Sequence, residues 1–247
     1  MPIVTLLSDF GTRDGYVAAM KGVILGICPG ACLVDVTHEV PPQDVRAGAF
    51  VLSTVYEHFP PGSIHVAVVD PGVGTDRKAL GLQAARQFFV GPDNGIFSLV
   101  LRKHPDRTAY SLENPAFRKE PVSRTFHGRD LFAPAAAHLA AGAPLESMGP
   151  PCTPGMEPWS SPRSSPREIL GEAIYVDHFG NIITNITRDD LGSAASLPSW
   201  RIRVGRTPVP FSGDTYGRAA PGTLLAYWGS AGFLEIAVNR GNAALTL

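Results

Sequence analysis

The first seventy residues alternate short apolar runs with amphipathic stretches, and this alternation restricts the fold more than any other feature of the chain. Ile3 to Leu7 has the pattern of a buried strand and stops at Ser8-Asp9-Phe10-Gly11. Asp14 is placed to cap a helix in which Tyr16, Met20, Val23, Ile24 and Ile27 share one face, and Pro29-Gly30 ends it. Leu33 to Val36 reads as a second strand. Val45, Ala49, Leu52, Tyr56 and Phe59 recur at helical spacing before Pro60-Pro61-Gly62. Ile64 to Val69 is a third strand, broken by Asp70-Pro71-Gly72. Strand, helix, strand, helix, strand implies right-handed crossovers and a parallel sheet. Phe88 to Val90 adds a strand and Asp130 to Ala141 an alanine-rich helix. The expectation for residues 1–150 is a Rossmann-like α/β domain.

The texture changes between Gly149 and Arg167, where Pro, Ser and Gly dominate, so 151–168 is read as a linker. Short apolar runs follow at Ile169 to Val176, Asn181 to Ile186, Trp200 to Val204, Thr223 to Trp228 and Phe233 to Val238. Turn residues separate them, which predicts a smaller antiparallel, barrel-like β domain over 169–247.

Composition narrows the function classes. Lys plus Arg is 21 and Asp plus Glu is 22, a formal charge of -1. No basic field is available for nucleic acid and no polybasic tail for a membrane surface. Cys28, Cys32 and Cys152 form no CxxC pair, against a disulfide framework or a Cys-rich zinc site. The apolar run at the N-terminus stops at Asp9 without a charged leader, so a cytoplasmic location is expected.

Ligands of open α/β sheets bind beyond the carboxyl ends of the strands. Three such ends here are polar: Ser8-Asp9, Thr37-His38 and Asp70. A single carboxylate there is as readily a turn or helix cap as a ligand; two on one edge, Asp9 and Asp70, point to a site. Gly72-Val73-Gly74 matches no phosphate-binding pattern, and its natural use is close backbone approach to a neutral or cationic small molecule. Arg77 lies within reach of Asp70 if the loop folds back, although a surface pair of that kind is worth only ~0–1 kcal/mol. His127 sits in Thr125-Phe126-His127-Gly128-Arg129-Asp130, the polar entry to a helix whose N-terminal N–H groups favour an anion such as hydroxide.

Seven short motifs occur in one order: Ser8-Asp9-Phe10-Gly11, Cys28-Pro29-Gly30, Asp35-Val36-Thr37-His38, Asp70-Pro71-Gly72-Val73-Gly74, Pro92-Asp93-Asn94-Gly95, Thr125 to Asp130, and Asp177-His178-Phe179-Gly180-Asn181. With them the sequence resembles the S-adenosyl-L-methionine (SAM) hydroxide adenosyltransferases, or SAM hydrolases, relatives of fluorinase and chlorinase. The resemblance implies attack of water or hydroxide on ribose C5′ of SAM, giving adenosine and methionine. It implies a catalytic set of Asp70, Arg77 and His127. Asp9 would accept from both ribose hydroxyls, Asp177 would sit near the methionine amino group, and Asn181 would read the adenine edge. Ser230 aligns near the amino acid moiety and Asn239 near adenine; Asp14 either contacts the ligand or only caps its helix. Phe179, Trp228 and Phe233 are wall residues or ordinary core.

The resemblance also implies a homotrimer with ligand sites between subunits. SAM is the substrate, and no cofactor or metal is expected, because Arg77 within the set would repel a metal cation. Fluorinase has Tyr at the position of Asp70, Ser at Gly128 and Arg at Ala231. A carboxylate would repel a halide, which sets SAM hydrolysis above a SAM-dependent halogenase. The other readings are a non-catalytic SAM- or adenosine-binding regulator and a metal hydrolase built on His65, Asp70 and His127.

Overall fold

The computed structural model describes residues 1–165, 167–192, 201–213, 215–217 and 219–247. The chain forms two units, Met1–Pro158 and Trp159–Leu247.

In the first unit the order is β1 (Ile3–Ser8), α1 (Tyr16–Ile27), β2 (Cys32–Thr37), α2 (Val45–Val55), β3 (Ile64–Val68), β4 (Ala79–Ala84), β5 (Gln87–Pro92), α3 (Ser98–Lys103), β6 (Thr108–Ser111) and α4 (Ala133–Ala140). The sheet runs β2-β1-β3-β5-β4-β6. Its first four strands are parallel, as the alternation requires. β4 pairs antiparallel with β5 and β6, which adds an antiparallel edge to the expected parallel sheet. The cause is a tight hairpin: Ala85 and Arg86 join β4 to β5 with φ of 53° and 62°. Two positive-φ residues are what a two-residue hairpin needs, and Gly or Asn would normally announce it. Ala79-Leu80-Gly81-Leu82-Gln83-Ala84 also lacks β-branched residues, so nothing in the local sequence marks β4.

Helices cover both faces. Met20 and Ile24 of α1 and the alanines of α4 pack with Val4, Leu6, Ile64, Val66 and Val68. On the other face Gly48 of α2 lies so close to Val69 and Leu7 that a Cβ would sit 3.0 Å from the Val69 side chain. Asp44 caps α2 by accepting from Ala47 N. The expected Asp14 cap is not made: the cap position of α1 falls on Gly15, without a side-chain hydrogen bond. The late helix is also modified, opening with a π-helical turn over Gly128–Phe132 before α4.

The second unit contains β7 (Arg163–Ser164), β8 (Ile169–Leu170), β9 (Ala173–Val176), β10 (Ile182–Thr187), α5 (Arg188–Leu191), β11 (Ile202–Val204), β12 (Thr207–Val209), β13 (Leu224–Trp228), β14 (Phe233–Val238) and α6 (Ala243–Thr246). Its pairing is antiparallel, as expected. The described strands form a sheet ordered β13-β14-β10-β9 and two hairpins, rather than a closed barrel. Ala226, Trp228, Leu234, Ile236 and Val238 alternate inward to form its core with Val209 and Ala243. Trp200 and Pro166, which the sequence places in a strand and in the linker, lie outside the described residues. No helix among the described residues is long and apolar enough to cross a membrane.

Candidate active site

Asp70 stands just past the carboxyl end of β3, where the chain leaves the sheet. The loop after it folds back, and Arg77 grips the carboxylate with two bonds: Nε donates to Oδ1 at 2.9 Å, and Nη2 donates to Oδ2. The side chains of Arg77 and Asp70 are only 9% and 5% exposed, so this is a buried pair and not a solvated one. Arg77 Nη2 also donates to His127 Nδ1 at 2.7 Å, and Nη1 donates to the Lys78 carbonyl at 3.2 Å. The guanidinium carbon lies 5.2 Å from the Phe132 ring centre. Four of the five guanidinium N–H groups are thereby engaged.

One chemical consequence follows directly. A guanidinium only donates, so His127 Nδ1 must be the bare nitrogen and the ring proton sits on Nε2. His127 is therefore a neutral imidazole offering one N–H. Burial, and then the Arg77 charge, lower its pKa against the opposing pull of Asp70 and Asp130. The geometry thus makes His127 a hydrogen-bond donor through Nε2 and not a doubly protonated imidazolium.

Glycine chemistry brings the loops together. A Cβ at Gly74, where φ is +77°, would sit 2.4 Å from the Arg124 carbonyl oxygen. The close approach that this loop permits is thus to the chain segment bearing His127, a correction to the small-molecule role expected of Gly72-Val73-Gly74. That segment is wound around Asp130, which is fully buried. Arg129 Nε and Nη2 donate to its carboxylate at 2.6 and 2.8 Å, and Ser123 N at 2.8 Å. Burial would raise the Asp130 pKa, but the Arg129 and Ser123 bonds together hold it below the ordinary carboxylate value. Asn94 of the Pro92-Asp93-Asn94-Gly95 motif also serves the site's framework, with Nδ2 donating to Val69 O at 2.8 Å beside Asp70.

Asp9 follows β1 directly, and its Oδ2 accepts from Gln43 N at 2.8 Å. A carboxylate has room for further donors. Asp14 is exposed. His65, by contrast, is fully buried against Thr5 and stacked on Phe89. Five residues of extended strand separate it from Asp70, about 16 Å, so the His65, Asp70 and His127 metal site is ruled out on reach. Among the described residues no group of three or more His, Cys, Asp or Glu side chains could hold a metal ion.

In the second unit Asp177 and Asn181 bracket a tight turn. Asp177 Oδ1 accepts from Phe179 N at 2.9 Å and Asn181 N at 2.8 Å, and Oδ2 accepts from Asn181 Nδ2 at 2.8 Å. Asn181 keeps a carbonyl oxygen and one N–H, the pair that suits an adenine edge. Ser230 is exposed in the turn between β13 and β14. Asn239 ties the preceding loop, its Nδ2 donating to Ala219 O at 2.6 Å. Trp228 belongs to the core, whereas Phe179 is 72% exposed. Sequence reading missed Glu235 and Tyr227, whose side chains meet at 2.5 Å. Burial and the Asp177 charge raise the Glu235 pKa, although its Tyr227 bond lowers it. The available signal was a lone carboxylate in the otherwise apolar Phe233-Leu234-Glu235-Ile236-Ala237-Val238.

Residues 4–149 match the SAM hydroxide adenosyltransferase N-terminal domain, and residues 171–247 match the C-terminal domain. The chain belongs to the SAM hydroxide adenosyltransferase family. A family relative from Thermus thermophilus, named (R)-S-adenosyl-L-methionine hydrolase, is 43% identical over 97% of this chain and 93% of its own. A Nocardia brasiliensis protein named fluorinase is 29% identical over 98% of this chain and 92% of its own. The crystal structure of an uncharacterized conserved protein from Thermotoga maritima superposes with a TM-score of 0.92 at 39% identity, covering 98% of this chain and 95% of that one. The family membership and the strand-end cluster therefore rest on independent grounds, one on the whole sequence and the other on local geometry.

Proposed function

We propose that the protein hydrolyses S-adenosyl-L-methionine to adenosine and L-methionine, by attack of water on ribose C5′ within the Asp70–Arg77–His127 cluster. The observation that carries this reading is the neutral His127, fixed as an Nε2–H donor by Arg77, beside a carboxylate that Arg77 also holds. A water molecule there meets one donor and one acceptor. His127 Nε2–H donates to its oxygen and Asp70 accepts one of its hydrogens, which aims a lone pair outward. Arg77 holds both partners and supplies positive potential as negative charge builds on the oxygen. Asp70, doubly bonded to a guanidinium, is a weak proton sink and works as an orienting acceptor.

The balance is simple. The water oxygen forms the new bond to C5′, the C5′–S pair passes to sulfur and neutralises the sulfonium, and one water proton is released. No metal takes part. Asp9 takes the ribose hydroxyls, Asn181 and Asn239 the adenine side, and Asp177 and Ser230 the methionine side. Because the hydrolase relatives are named for the (R) compound, we assign this chain the same sulfonium epimer, in a homotrimer.

Incubation with (R)-SAM in ¹⁸O-water and chelator should give equal adenosine and methionine, with label in the adenosine 5′-hydroxyl. Unlabelled adenosine would overturn direct attack by water, and 5′-chloroadenosine formed in chloride would favour the halogenase reading. Mixing His127→Ala with Asn181→Ala subunits tests the assembly. Recovered activity supports a site shared between subunits, and none despite proven exchange rejects it.

A further inference from the structure

Behind Asp9 lies a chain of polar side chains that the proposed reaction does not use. Ser8 Oγ meets His38 Nδ1 at 2.7 Å, and His38 Nε2 meets Asp35 Oδ1 at 3.0 Å. Asp35 Oδ2 accepts from Lys21 Nζ at 2.6 Å. At the other end Phe10 N donates to Ser8 Oγ at 3.3 Å. Ser8 is 1% exposed and His38 5%. The Ser, His and Asp succession is not a nucleophile, because a serine so covered cannot be reached by a substrate carbonyl.

With the ring proton on Nε2 the chain has one consistent polarity. Nε2–H donates to Asp35, the bare Nδ1 receives the Ser8 hydroxyl, and Ser8 Oγ accepts from Phe10 N. The residue bridged by the Ser8 and Phe10 ends is Asp9. The main chain repeats the tie, with Gly11 N donating to His38 O at 2.7 Å and Val40 N to Ser8 O at 3.4 Å. Gln43 completes it by donating its N–H to the Asp9 carboxylate from a left-handed conformation, φ 68°. That conformation costs a non-glycine residue about 1–2 kcal/mol, and its placement against Asp9 fits strain held at a functional position. Burying a polar chain where an apolar core would serve is costly as well. Both features lie at the carboxyl ends of β1 and β2, the edge where such sheets bind ligands.

We propose that His38, held between Ser8 and Asp35, is a positioning residue that fixes the Asp9 carboxylate for the two ribose hydroxyls. The inference rests on the reading of Asp9 as the ribose acceptor, and its test separates the two. Affinity for adenosine is compared with affinity for 2′,3′-dideoxyadenosine by calorimetry, which needs no turnover. Asp9→Asn should abolish the preference for adenosine. His38→Leu should reduce it about tenfold, and raise KM for SAM more than it lowers kcat, as loosened positioning does. Ser8→Ala, a smaller change less prone to misfolding, should move the ratio in the same direction. The double variant Asp9→Asn with His38→Leu should lose nothing beyond Asp9→Asn, because both act on one contact. Equal weakening of both nucleosides by His38→Leu and Ser8→Ala, or additive losses in the double variant, would mean a merely structural histidine. An unchanged ratio in Asp9→Asn would instead remove the ribose role of Asp9, and the positioning role with it.

Discussion

The two units handle their most buried carboxylates in opposite ways. In the first, three acids meet a cation, Asp70 with Arg77, Asp130 with Arg129 and the exposed Asp35 with Lys21, while Asp9 accepts from the Gln43 backbone N–H. In the second, Asp177 is met by an amide and backbone N–H groups, and Glu235 by a phenol. Compensated charge builds rigid, locally neutral machinery whose groups keep fixed protonation states. Carboxylates satisfied only by neutral donors keep a negative potential that attracts a cation. Under the proposed reaction, the first arrangement suits a water to be aimed, and the second suits the ammonium end of a cationic substrate.

The largest effect should come from breaking the compensation in the first unit. Arg77→Met leaves Asp70 buried and unpaired, which costs about 3–5 kcal/mol of stability, and should lower kcat about 10²–10⁴-fold. Arg77→Lys separates charge from geometry, since an ammonium cannot hold Asp70 through two bonds and His127 at once. Near-normal turnover in Arg77→Lys would show that positive potential alone suffices. The acid limb of kcat/KM should lie below about 6.5, the ordinary histidine value, because protonated His127 would direct a new N–H at Arg77.

The first unit's neutrality extends into its core, and pH tests this. Burial pushes His65 down to about 4. Its neutral form then contributes full stability above the unfolded value of about 6.5, and the contribution drains as pH falls toward the folded value. The loss should approach about 3 kcal/mol. Urea titrations between those pH values should show it, and His65→Phe should flatten the difference. An unchanged slope in His65→Phe would place the titration elsewhere.

The second unit is tested by removing charge without removing shape. Asp177→Asn should weaken SAM about 10–100-fold, the scale of a charged hydrogen bond, while adenosine affinity changes little. Glu235→Gln should do the same more weakly, since its carboxylate is already engaged by the Tyr227 hydroxyl. If both nucleoside and SAM weaken together, the contrast between the units is structural and not a matter of ligand charge. The smallest effect is expected at the β4–β5 turn. Ala85→Asn combined with Arg86→Gly should relieve the left-handed strain and stabilise by about 0.5–1 kcal/mol, with kcat untouched, as read from the urea midpoint.

Much of this molecule was legible in its sequence, for local reasons. β1, α1, β2, α2 and β3 follow from hydrophobic period and from Pro and Gly punctuation, and their alternation places Asp9, His38 and Asp70 on one edge. The antiparallel strands after 169 follow from runs too short for helices. β4 was hidden because Ala, Leu, Gly and Gln have no strand bias, and its turn because Ala85-Arg86 carries no turn signature. Only the tertiary structure decided the protonation of His127: its partner Arg77 is fifty residues away, and no local pattern says which nitrogen will face a guanidinium. The same holds for His38, visible as a polar strand end but not as the middle of a chain from Lys21 to Phe10. Periodicity fixes which face a residue takes, since that is set by neighbours three or four positions away. Hydrogen-bond partners and buried charge depend on which distant loops a fold brings within about 3 Å, and that is a property of the assembled sheet.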